Sequence, residues 1–418
     1  MAAATRAPSL SDRLQHVVRY TQEIVVRVFD EKVRIDDGPK TRDEGLFAFY
    51  DRAARRPFAI FRELVNSWLA EMPEEAGAEI AARMRKGDDL GFATGLSELK
   101  LHAALLRRGF GLEPHPDLPG TDKRLDFLLR RAEGERVAYL EITTINPGSE
   151  RIGRDRREAV IFEAVNGASM PEDLRLVYEV AAFGTGSPST KKLRVAVERW
   201  AQERAEAARG TGEVQEAFAI DDWRFRLSLI GGFKARPAGR RIAMYGVMNG
   251  RIVGAPPSTD GLGKALNAKA NKYGDLDLPY LIAVFDRTDS LAWFSRDFAE
   301  NVASVLFGSE LVEDVVMASG EIRSSEARAR DGWFGDPAAP RRRGVSAVLV
   351  FPSAEPWYLA EPRGQPLLVR NPWATRPLPE GILPVNELVI DEREGRLVRR
   401  SPMAEMLELP NPWPPEDA

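Results

Sequence analysis

The chain contains no cysteine and only three histidines, His16, His102 and His115. Disulfides, thiolate metal sites and cysteine nucleophiles are therefore excluded, and the histidines do not fall at zinc-ligand spacings. Any metal must be held mainly by oxygen. A Ser-His-Asp triad cannot be placed by any spacing argument. No run approaches the ~20 apolar residues that a membrane helix needs, and the start MAAATRAPSLSDRLQ lacks a basic segment followed by an apolar one. The expectation is a soluble, cytoplasmic protein with no membrane association.

What is present is enough for a sizeable core: 418 residues at 44% hydrophobic content, a length that leads one to expect two or three domains. The net charge of −4 argues against a globally basic nucleic-acid binder, but it averages over an uneven chain. From Thr190 to Lys272 there are 16 Lys plus Arg against 8 Asp plus Glu, while the tail beyond Trp373 is acidic. The basic middle could face phosphates or form solvated helix faces.

Three regions differ in texture. Residues 1–90 read as a helical N-terminal cap, with FAIFRELVNSWLAEM apolar at helix spacing and GAEIAARMRKG as a second helix closed by Gly87. From 91 to 300 the elements alternate: helix 96–108, strands 124–130 and 136–143, helix 155–166, strand 174–182, helix 189–208, strands 222–230 and 241–248, helix 262–273, strand 280–286. That order predicts an α/β domain around a mixed sheet. Residues 301–418, with the strand VSAVLVF, many prolines and NPW at 371–373 and 411–413, read as a β-rich, Pro-rich C-terminal extension wrapped on the core.

Chemistry concentrates between Gly95 and Thr144. Two antiparallel strands joined by the turn RAEGE would bring Asp126 and Glu141 side by side at one sheet end. Tyr139, Glu141 and Thr143 share one face of the second strand. On a wheel of about 100° per residue, Glu98 and His102 fall in the apolar arc of Leu99, Leu105 and Leu106, whereas Ser97, Lys100, Arg107 and Arg108 take the far arc. An inward Glu98 calls for a partner, either a metal, a cation or His102 itself; the plainer alternative is a partly exposed glutamate at the stripe's edge. Helix 262–273 repeats the pattern with opposite sign: Lys269 lies among Leu262, Ala265, Leu266 and Tyr273, with Lys264, Asn267 and Asn271 opposite. Such a lysine either snorkels to the edge or meets an anion.

At these residues the chain resembles the PD-(D/E)XK, or restriction-endonuclease-like, nuclease superfamily, whose pattern is a helix Glu, an Asp opening a strand, a short turn, and Glu-x-Lys on the next strand. The matching positions are Glu98 in LSELKLHAALLRRGF, Asp126 in KRLDFLL and Glu141 in YLEITT. Leu125 stands where the family has Pro, and Thr143 where it has Lys. The resemblance implies a restriction-endonuclease-like mixed sheet flanked by helices, with Asp126, Glu141 and the Ile142 carbonyl holding Mg2+, and Glu98 behind them or on a second ion. It implies hydrolysis of phosphodiester bonds in DNA, for which a metal both stabilises charge and supplies hydroxide. Thr143 can orient a water but carries no charge. Lys269 is the candidate replacement for the absent lysine, and Lys123 the runner-up. A homodimer is one assembly for a double-strand cutter, since one such site cuts one strand, although no dimer surface is legible.

Two other readings stay open: an inactive module of the same fold that binds nucleic acid or a protein partner, and a scaffold in which the acidic trio forms ion pairs. The loop FGTGSPSTKK at 183–192 places glycines before lysines at a helix start but lacks Walker A spacing. Its Lys191, Lys192 and Arg194 could touch a nucleic-acid backbone. The aromatics of DGWFG and NPW could stack on bases or pack in the core.

Overall fold

The segments YLIAVF and AVLVF are apolar at every position rather than at alternate ones, the pattern of a strand covered on both faces. In the computed structural model they lie side by side in an eight-stranded mixed sheet. The structure describes residues 26–86, 88–118, 121–131, 133–146, 149–187, 189–233, 245–246, 260–287, 298–316, 322–352, 356–361, 364–390, 395–398 and 403–415.

Along the chain, helices α1 (Leu46–Arg52), α2 (Arg56–Ala70), α3 (Glu74–Arg85) and α4 (Asp89–Arg107) lead into strands β1 (Phe110–Pro114), β2 (Phe127–Arg131) and β3 (Arg136–Ile145). Next come α5 (Ser149–Asn166), β4 (Arg175–Ala182), α6 (Thr190–Thr211), β5 (Glu213–Ile220) and β6 (Trp223–Ile230). After these follow α7 (Asp260–Ala270), β7 (Tyr280–Asp286), α8 (Phe298–Phe307), β8 (Ala347–Phe351), β9 (Leu367–Arg370), β10 (Asn386–Ile390) and β11 (Gly395–Val398). The main sheet has the order β1-β2-β3-β7-β8-β9-β10-β11. Strands β3, β7 and β8 run parallel, as do β9 and β10, and the remaining neighbours are antiparallel.

Side-chain alternation divides the sheet between two cores. Ala138, Leu140, Ile142, Leu281, Ala283 and Phe285 pack with Phe61, Trp68, Met84 and Leu99 of the N-terminal helices. Tyr139, Ile282, Val284 and Val348 pack with Leu262 and Leu266 of α7 and Val302 and Leu306 of α8. The result is a mixed α/β architecture with helices on both faces. The crossing of α3 and α4 is so close that a Cβ at Gly95 would lie 2.5 Å from Met84 Cγ, so a larger residue there would force the two helices apart.

Three arrangements differ from what local pattern suggests. Of the strands beyond residue 300, β8 is hydrogen-bonded to β7 and β9 to β11 continue the same sheet, while Glu310–Val316 and Ile322–Arg328 pair with each other outside it. A boundary at 300 therefore runs between two neighbouring central strands. The segment from α5 to β6 has its own sheet, in which β4 and β5 both pair antiparallel with β6, and its own core around Tyr178, Trp200, Trp223 and Phe225. Of the strand expected at 241–248, only Tyr245–Gly246 lies among the described residues. Finally, Lys100 is buried, with its ammonium 5.9 Å from the centre of the Phe285 ring. The wheel assigns it to an outward arc, but α4 is covered on nearly every side in its central turns. Among the described residues no helix is long and apolar enough to cross a membrane.

Candidate active site

The hairpin β2–β3 aligns Phe127 with Leu140, and its ladder stops there. The Tyr139 N–H bonds the Pro279 carbonyl at 2.8 Å, on the side of β7. Peptide groups alternate along a strand, so the N–H and C=O of Ile142 point the other way, toward the side that β2 has just vacated. Asp126, one residue ahead of β2, fills that gap: its Oδ2 accepts the Ile142 N–H at 2.6 Å. Asp126, expected from sequence beside Glu141 at one sheet end, is thus bonded to the main chain one residue beyond it, and the Ile142 carbonyl lies on the same side of β3 as that N–H.

Glu141 sits on the face of Tyr139 and Ile145, at 0% exposure. Its Oε1 accepts Lys269 Nζ at 2.5 Å and Lys272 Nζ at 3.2 Å. The Tyr273 hydroxyl lies 2.6 Å from Oε2 and 2.9 Å from the Arg124 carbonyl. One proton serves both, and the carboxylate is the stronger acceptor. Lys269 points inward because Leu262 and Leu266 on the same side of α7 are anchored in the core against β3 and β7. Lys272 and Tyr273 come from the turn just after α7, closed by a bond from the Lys272 N–H to the Lys269 carbonyl at 3.2 Å.

The neighbouring charges shift one another. Burial raises the Asp126 carboxyl above its ordinary value, the charge of Glu141 adds to this, and the Ile142 N–H, Lys269 and Lys272 work against it. Burial and Glu141 also raise the Tyr273 phenol, so it remains a donor. Glu98 approaches from α4 on the other face of the sheet. Its partner is Arg83 of α3 rather than His102, so of the three partners open to it the structure selects a cation. Burial pushes its carboxyl up to about 7, against the pull of Arg83, and the charge of Asp126 contributes in the same direction. His102 is buried elsewhere on α4, with Nδ1 lacking any hydrogen bond, and burial lowers it to about 4.

Thr143 is half-buried on the Glu141 face, beside Val284 of β7. Lys123 does not reach the carboxylates: exposed, it donates to the Lys272 carbonyl at 2.6 Å and so fastens the turn that carries Lys272. Among the described residues no cluster of three carboxylates or imidazoles could hold a metal ion. Lys272 is the participant that sequence reasoning passed over; Tyr273, placed there on the same arc as Lys269, adds a hydroxyl bond to Glu141 that the wheel does not show. The only signal for Lys272 was its place three residues after Lys269, a helix spacing in a stretch that is no longer helix.

Several of the remaining candidates are tied into the fold. In the 183–192 loop, Asp222 Oδ2 accepts the N–H and hydroxyl of Thr185 at 2.6 and 2.9 Å, and Trp223 Nε1 donates to the Gly186 carbonyl. Trp333 and Phe334 of DGWFG are core residues. Trp413 stacks on Trp357 at 5.8 Å. No family model, curated protein or solved structure matches the chain.

Proposed function

We propose that the chain is a Mg2+-dependent nuclease of the PD-(D/E)XK type, hydrolysing phosphodiester bonds in DNA, with Lys269 in the role of the family's lysine. One observation carries this reading: Lys269 Nζ lies 2.5 Å from Glu141 Oε1, delivered from 128 residues downstream. The ammonium absent at Thr143 is thus supplied through space to the same carboxylate. The helix bearing Glu98, the hairpin bearing Asp126 and Glu141, and the parallel neighbour of β3 support a restriction-endonuclease-like fold as part of the same proposal.

The donors fit Mg2+ in kind. Two carboxylates and a carbonyl are hard oxygen ligands, and Mg2+ usually takes only one or two carboxylates, filling its other positions with water and phosphate. The Asp126 carboxyl is raised by burial and then by the charge of Glu141, both of which a shared cation would offset. Asp126, Glu141 and the Ile142 carbonyl would hold the ion. Bound there, it would stabilise charge on the phosphoryl oxygens and make hydroxide available near neutral pH. Lys269 would orient the attacking water and offset the developing charge, and Thr143 would hold that water by a hydrogen bond. Glu98, with its carboxyl near 7, would exchange protons behind the ligands at neutral pH.

A second reading has its own observation. Glu141 is already satisfied by two ammoniums and a phenol, a network that would serve equally in an inactive module binding nucleic acid or a partner protein. Incubation with plasmid and single-stranded DNA, in Mg2+ and in EDTA, separates the two. The nuclease reading expects cleavage only with Mg2+, abolished in Asp126→Asn and in Glu141→Gln. If both variants cut as the parent does, the metal site is wrong; if the parent cuts nothing, the inactive module stands.

A further inference from the structure

Glu141 receives more donors than one carboxylate needs, and the two ammoniums are not equivalent. Lys269 belongs to α7, is 22% exposed and makes the shorter contact. Lys272 lies beyond the helix end, is 38% exposed and stands at 3.2 Å. Its backbone is fixed at both polar groups, the N–H on the Lys269 carbonyl and the C=O on Lys123 Nζ. The main chain is held, and the half-exposed side chain is the part with room to swing.

We propose that Lys272 is a substrate-binding residue whose ammonium stays on Glu141 until a divalent cation takes that carboxylate, and then moves to a phosphodiester oxygen. The cation and the phosphodiester would thereby bind cooperatively. This rests on the metal-site reading above. The charge count gives the reason: Asp126 and Glu141 cancel Lys269 and Lys272, so the pocket is formally neutral. A divalent cation makes it doubly positive and attractive to phosphate. Without the Lys272 ammonium the empty pocket carries one net negative charge, and the loaded pocket only one positive.

Lys272→Met should therefore change two affinities in opposite directions, which a merely structural role would not do. Ca2+, a hard oxygen-seeking cation like Mg2+, serves as the probe. Its binding is read by calorimetry without DNA, and the binding of a short fluorescein-labelled DNA duplex is read by anisotropy in Ca2+ and in EDTA. In Lys272→Met we expect Ca2+ to bind roughly tenfold more tightly and DNA in Ca2+ roughly tenfold more weakly. Lys272→Arg should restore most of the gain in DNA affinity on adding Ca2+. If the parent binds Ca2+ but Lys272→Met leaves that affinity unchanged or weaker, or if Ca2+ does not tighten DNA binding by the parent, the role given to Lys272 is overturned while the metal site survives. If the parent binds no Ca2+ at all, the metal site itself fails, and this proposal with it.

Discussion

Glu98 and Glu141 are both drawn inward by apolar elements, one from a helix against the outer face of the sheet and one from a central strand, yet they are provided for differently. Glu141 has two ammoniums and a phenol from a single helix and the turn after it. Glu98, at 16% side-chain exposure, has one guanidinium, that of Arg83. The single partner does not offset burial, and the carboxyl rises to about 7. The contrast separates two ways of carrying a buried acid: surround it with several donors, or leave it with one and let it take up a proton near neutral pH. The first suits a ligand for a cation, the second a proton carrier.

The largest expected effect comes from stripping a donor from the well-supplied site. Lys269→Met leaves Glu141 buried with the more distant Lys272 and with Tyr273. We expect a loss of about 3 to 5 kcal/mol in urea melts and, under the proposed nuclease function, a fall in Mg2+-dependent cleavage of roughly a thousandfold. Equal stability and turnover in this variant would mean that the two acids do not differ in their need for donors.

A smaller effect tests the poorly supplied site. A carboxyl raised from 4.5 to about 7 binds a proton in the folded chain that the unfolded chain has already lost. Its favourable contribution is therefore complete below pH 4.5 and disappears as pH rises through about 7. Glu98→Gln mimics the protonated form. Its stability relative to the parent should grow from near zero at pH 4.5 to about 3 kcal/mol at pH 8. A difference that stays constant across this range would show that Arg83 alone satisfies Glu98.

How much of this contrast can be read from residues alone depends on whether the cause is local. Strand β7 is legible from end to end because its apolar run needs no partner to be recognised, and the inward positions of Glu98 and Lys269 follow from helix period. The pairing of β7 with β8 is not legible, since two apolar runs 61 residues apart do not name each other. Lys272 escapes the wheel because α7 ends at Ala270 and the turn sets its direction, whereas Tyr273, on the same arc as Lys269, reaches Glu141 with it. Lys100 deceives it, because a helix packed on several sides has no outward arc in its middle turns. Strand β5, EVQEAFAI, is missed because it is a largely exposed edge of the second sheet, where little apolar periodicity is required.

The smallest effect at neutral pH concerns His102, one turn from Glu98 and buried with even less provision. Its Nδ1 has no hydrogen bond, and burial lowers the ring from 6.5 to about 4, with Glu71 opposing the shift and Arg107 adding to it. The imidazole is thus neutral at pH 7, so His102→Leu removes an unsatisfied polar atom and a similar volume, and should alter stability there by about 1 kcal/mol or less. Acid behaviour is the sharper readout. A depressed imidazole stabilises fully above pH 6.5, and that contribution is lost as pH falls through about 4. Glu98 has the opposite slope between 4.5 and 7, so in the parent the two oppose each other and flatten the profile between pH 4.5 and 6.5. His102→Leu should unmask the Glu98 slope, giving stability that declines steadily from pH 4.5 to 7 in urea melts. A variant profile as flat as the parent's would mean that the two groups do not oppose each other, and that Glu98 does not take up a proton between pH 4.5 and 7.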